Sequence, residues 1–74
     1  MAYRAANSSI NKIVIGSTKD DVARIQGVPL ALKDTGILDY DEWRYDKIGL
    51  TYIRFSKKTG LVAEYRNYDG SLKI

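Results

Sequence analysis

The sequence has no cysteine and no histidine, and only one proline, one tryptophan, one phenylalanine and one methionine in 74 residues. Lack of cysteine excludes a disulfide staple, and lack of both residues excludes a zinc site of the thiolate or imidazole kind. Ser–His and Cys–His catalysis are excluded because the base is missing. No apolar run approaches the length that crosses a bilayer. Met1 to Ile10 carries one charge and no continuous apolar stretch, so it does not read as a signal peptide. The charge balance is mild: 12 basic against 9 acidic residues give +3, which is no polybasic tail. What remains is 45% hydrophobic and 28% charged, as in an ordinary globular domain, with six tyrosines dominating the aromatics. A chain this short has one domain at most and buries only about 60% of its unfolded surface.

Residues 1–12 are small and polar and read as an N-terminal arm; Asn7-Ser8-Ser9 matches the N-glycosylation pattern only by letters. The domain is expected over 13–74. Lys12-Ile13-Val14-Ile15 reads as a brief strand or an extended lead-in. The clearest local signal follows. Ser17 or Thr18 caps a helix, Asp20 and Asp21 sit in its positive first turn, and Val22 and Ile25 share a face. Gly27 ends the helix in a positive-φ cap and Pro29 forbids its continuation.

Leu30 to Glu42 reads as a loop, with a turn at Thr35-Gly36 and four acids (Asp34, Asp39, Asp41, Glu42) without a base between them. Strand signals then run to the end: Trp43 to Tyr45, Leu50 to Ser56, Leu61 to Tyr68 and Ser71 to Ile74. Asp46-Lys47-Ile48-Gly49, Lys57-Lys58-Thr59-Gly60 and Asp69-Gly70 supply the intervening turns. Alternation sorts Trp43, Tyr45, Ile53, Phe55, Leu61, Ala63, Tyr65 and Leu72 to an inner face. It sorts Arg44, Tyr52, Arg54, Val62, Glu64, Arg66, Tyr68 and Lys73 outward. Val62 conflicts with that sorting, and a bulge beside Gly60 would turn it inward.

Chemical motifs fail on their residues. Gly16-Ser17-Thr18-Lys19 lacks the order of a phosphate loop. Asp39-x-Asp41 opens like a calcium loop, but Trp43 stands where an oxygen ligand belongs and Arg44 where glycine belongs. Carboxylates on a surface loop of so small a protein lack the sheltered cleft that acid–base work requires. No catalytic residue, metal or cofactor is expected. The outer sheet face is the better candidate. Arg44, Arg54, Arg66 and Lys73 against Glu64 give a local +3 beside Tyr52 and Tyr68. Cations between aromatics suit single-stranded nucleic acid, whereas opposite charges across strands are also the ordinary pattern of a solvated sheet.

Ile13-Val14-Ile15-Gly16-Ser17-Thr18-Lys19-Asp20-Asp21-Val22, then Ile25-Gln26-Gly27-Val28-Pro29, Trp43-Arg44-Tyr45, Ile53-Arg54-Phe55 and Gly60-Leu61-Val62 together resemble the SmpA/OmlA pattern. That family shares the fold of the β-lactamase-inhibitor-protein repeat. The likeness covers about 50 residues, Ile13 to Val62. It implies a helical layer on an antiparallel sheet, Val62 turned inward, and a non-catalytic module that binds other proteins. The chain departs from the family in having no lipid-attachment cysteine and no signal peptide, and its first helix is absent or reduced to the segment before Ile10. Similar stretches occur as modules of larger bacterial chains.

The expectation is therefore an α+β domain, one short helix on a three- to four-stranded antiparallel meander. The alternative is a small SH3-like barrel in which Ile13–Ile15 pairs with the last strand. The expected function is non-enzymatic protein interaction or scaffolding through Arg44, Tyr52, Arg54, Arg66 and Tyr68. The alternative is weak nucleic-acid binding by the same face. The chain is expected to be a monomer or a weak dimer through an edge at Ser71–Ile74. Its expected location is cytoplasmic unless a parent protein carries a signal.

Overall fold

Thr18 opens the single helix of the described region. In the computed structural model, which describes residues 11–34 and 39–74, helix α1 spans Lys19–Gln26. Thr18 Oγ1 accepts from the Asp21 backbone N–H at 3.1 Å, and Asp20 and Asp21 lie where the helix dipole favours negative charge. At the other end the Gly27 N–H donates to the Ala23 carbonyl at 2.9 Å, with φ of 86°. Two turns of helix do not persist alone in water. Val22 and Ile25, both buried, hold this one to the sheet.

The lead-in from Lys12 to Ile15 forms no strand. Ile13 is buried and its N–H donates to the Lys73 carbonyl at 2.7 Å. Gly16 N–H then donates to the Val62 carbonyl at 2.8 Å, and Val62 N–H to the Ser17 carbonyl at 2.9 Å. Four strands follow: β1 (Ala31–Asp34), β2 (Tyr40–Arg44), β3 (Thr51–Ser56) and β4 (Val62–Asn67). They pair antiparallel in the order β1-β2-β3-β4. The result is an α+β meander with two edges, not a closed barrel.

Two expectations about strands are corrected. Leu30 to Glu42 is not one loop, because it contains β1 and the start of β2. Ala-Leu-Lys-Asp has little intrinsic strand preference, and β1 is held by its ladder to β2 rather than by its own residues. Ser71–Ile74 is not a strand. The Gln26 side chain binds this tail twice, donating to the Ser71 carbonyl and accepting from the Lys73 N–H, both at 2.8 Å. Leu72 is buried beneath it. The arm over 1–12 is described only at its last two residues, and Asn7 and the Thr35-Gly36 turn lie outside the described residues.

The β3–β4 loop closes as its letters require. Gly60 takes φ of 74° while its N–H donates to the Ser56 carbonyl at 2.7 Å. The core consists of Ile13, Val22, Ile25, Ile53, Phe55, Val62 and Leu72, with Trp43 and Tyr45 packed at its border. Trp43 meets Phe55 edge-on at 4.8 Å between ring centroids. Register explains Val62. Arg54 faces Glu64, but Phe55 faces Val62, so Ala63 is an extra residue that reverses the alternation. Val62 is thereby buried, while Leu61, expected inside, is exposed.

Candidate functional site

Helix α1 covers one face of the sheet, and among the described residues no element covers the other. Strand alternation and register assign the residues of that open face row by row. Lys33, Glu42, Arg54 and Glu64 oppose one another across β1 to β4, a ladder of alternating charge that sums to zero. The next row is Ala31, Arg44, Tyr52 and Arg66, two cations with a tyrosine between them.

Glu42 is the hub of the face. It is 2% exposed, although it points away from the hydrophobic core. One carboxylate oxygen, Oε1, accepts from Arg54 Nε at 2.8 Å, and Oε2 accepts from Arg44 Nε. Arg54 Nη1 also donates to Glu64 Oε1 at 2.7 Å, and its guanidinium lies 4.3 Å from the centre of the Tyr52 ring. Burial pushes the Glu42 carboxyl up, but the hydrogen bonds and charges of Arg44 and Arg54 outweigh it and hold the group below its ordinary range. The bonds to Glu64 and then Glu42 hold the Arg54 guanidinium more firmly protonated than usual.

Sequence reasoning placed Glu42 on a solvated acidic loop, and the structure overturns that. The signal was present: Glu42-x-Arg44 continues the Trp43-x-Tyr45 alternation one step back, as a strand requires. Arg44, Tyr52, Arg54 and Arg66 do come together on one face. Tyr68 is exposed just past the end of β4, and Lys73 belongs to the pinned tail, so neither joins the paired rows. The local charge changes accordingly. With Lys33 gained, Lys73 lost and Glu42 added, four cations face two carboxylates, a net +2.

These charges are unequally available. Arg54 is held by two carboxylates and a ring, and Arg44 by one carboxylate. Arg66 is exposed, and among the described residues nothing pairs with it. Asp41, on the helix-covered side, pairs with Lys19 at 3.2 Å instead of offering a cation ligand. Among the described residues no three acidic side chains converge on a metal position, and no helix is long and apolar enough to cross a membrane. Comparison with known proteins adds no relative: no family model, curated protein or solved structure matches the chain.

Proposed function

We propose that this chain is a non-enzymatic protein-interaction module whose open sheet face docks an acidic surface of another protein. The observation that supports this most is the contrast between the two rows. The charges of the Lys33–Glu42–Arg54–Glu64 ladder sum to zero, and Arg54 is tied to both of its carboxylates. The row beside it presents Arg66, which nothing pairs among the described residues, next to the Tyr52 ring already braced by Arg54, with Arg44 held by Glu42. A braced platform loses little side-chain freedom on binding, which favours affinity from few contacts. Protein binding is also what the SmpA/OmlA resemblance implies.

Nucleic acid fits less well. Binding of single strands draws on unpaired cations and open aromatic faces. Here Glu42 and Glu64 already engage Arg44 and Arg54, and the Arg54 guanidinium sits on Tyr52. The test is amide NMR of the labelled chain titrated with a capped hexaglutamate peptide and, separately, with a short thymidine oligonucleotide. Peptide-induced shifts at Tyr52 and Arg66 that Arg66→Glu removes would support the reading. A tighter oligonucleotide response that falls steeply with salt would replace it with nucleic-acid binding. Silence from both probes would refute it.

A further inference from the structure

The opposite side of the molecule carries a separate feature, at the edge formed by β1, whose outer side no other strand pairs among the described residues. Val28, Leu30 and Leu32 are 90%, 65% and 69% exposed. Three large aliphatic side chains are thus exposed within five residues, and Leu32 lies opposite the half-buried Trp43 at the rim of the helix-covered face. Strand edges of this kind are sites of pairing with another chain.

Backbone alternation shows which groups are available there. Tyr45 N–H donates to the Thr51 carbonyl at 2.8 Å, and Lys57 N–H to the Asp39 carbonyl at 2.9 Å. Odd-numbered residues of β2 therefore turn their backbone groups toward β3, and Glu42 and Arg44 turn theirs toward β1. The Arg44 carbonyl confirms this by accepting from Leu30 N–H at 2.8 Å. Glu42 and Arg44 face Lys33 and Ala31. The intervening Leu32 consequently directs its N–H and C=O away from β2, off the edge. The other edge is partly closed, since Val62 at the start of β4 exchanges hydrogen bonds with Gly16 and Ser17.

We propose that β1 pairs with β1 of a second copy of this chain, antiparallel about a two-fold axis at Leu32. This goes beyond the open-face reading and uses none of Arg44, Tyr52 and Arg66. Self-pairing follows from register. Faces match only where Leu32 opposes an inner-face residue, and placing it opposite its own copy lets the two outward N–H and C=O groups exchange hydrogen bonds. On one face Leu32 then meets Leu32 of the other copy, with Leu30 falling opposite Asp34 in register. On the other, Lys33 opposes Ala31 of the other copy, so the two lysines are not directly opposed. A register centred on Lys33 would oppose them and is disfavoured. Four strand residues make an interface smaller than the standard ~1,600 Å², in the class of weak, transient contacts.

Sedimentation equilibrium of the chain from about 10 μM to about 1 mM, where linkage makes assembly concentration-dependent, tests this. The expected result is a mass rising from 8.4 kDa toward twice that value. Leu32→Pro removes only the outward N–H and should stay monomeric with a dispersed NMR spectrum. Leu32→Lys places two cations at the axis and should behave alike, which keeps the test decisive if the proline variant does not fold. A parent chain that stays monomeric at the highest concentration overturns the proposal and leaves the exposed edge to a foreign partner. A dimer that survives in a folded Leu32 variant also overturns it, because assembly then uses another surface. Arg66→Glu should leave the sedimentation unchanged, so this test fails independently of the open-face reading.

Discussion

Replacing Glu42 by alanine removes the carboxylate that joins Arg44 to Arg54. Loss of one partner of a fully buried ion pair costs about 3–5 kcal/mol. That range needs a discount here, because the side chains of Arg44 and Arg54 keep 38% and 25% of their exposure and can recover water. Arg54 also retains Glu64. Two hydrogen bonds between charged groups, so discounted, leave about 1.5–3 kcal/mol. A 74-residue domain has about 4–11 kcal/mol of total stability, so the loss is large in urea unfolding. Glu42→Gln keeps the shape and one acceptor and should lose about half as much. The pH dependence separates charge from packing. The Glu42 carboxyl is held below its ordinary value of 4.5 in the folded state, so the unfolded chain binds the proton more readily. Its contribution is present above about pH 4.5 and is lost as pH falls through the lower folded value. The gap between parent and Glu42→Gln should therefore narrow on acidification. A Glu42→Ala variant within about 0.5 kcal/mol of the parent, the usual span of surface changes, would refute the clamp. So would a gap that does not change with pH.

Other perturbations have equally definite outcomes. Phe55→Ala should cost on the order of 3–5 kcal/mol in thermal or urea melts, because its ring is fully buried against Trp43. A melt like the parent's would contradict the assigned core face. Gly27→Val should destabilise by about 1–3 kcal/mol through backbone strain at φ of 86°, since a Cβ there meets nothing within 4 Å. An unchanged melting temperature would remove the helix-stop assignment. Burial raises the Tyr45 phenol to about 12, and its OH donates to the Gly27 carbonyl at 3.0 Å. Its contribution is complete below pH 10 and lost as pH rises through about 12, so Tyr45→Phe should flatten the alkaline end of the stability profile.

The parts of this fold that sequence reasoning reached are those decided by local chemistry. Thr18, Asp20, Asp21, Gly27 and Pro29 are each explained by the helix ends they serve. Thr51 to Ser56 alternates without interruption and was read with the right inner face. Residues 57–60 announced their own turn. The failures belong to long-range pairing. β1 carries no strand signal of its own, and only β2 makes it a strand. Leu32 therefore went unnoticed as an edge residue. Glu42 reads as a solvated acid until Arg54 is brought across from the next strand. The extra residue Ala63 depends on the register between β3 and β4, so polarity alone sent Val62 outward. Tail residues 71–74 resemble a strand, but Gln26, distant in sequence, takes their hydrogen bonds. The candidate site was thus half legible: Arg44, Arg54, Arg66 and Tyr52 were found, and Lys33 and the carboxylate that organises the arginines were not.

The most direct test of the central claim is an NMR spectrum of the arginine Nε–H groups, with and without the hexaglutamate peptide. Arg44 and Arg54 donate from Nε to Glu42, so their signals should exchange slowly with water and scarcely move. Arg66 should exchange fast alone and then shift and slow as the peptide binds. If all three signals exchange fast and shift together, Glu42 does not organise the face and the account of a braced docking platform is wrong.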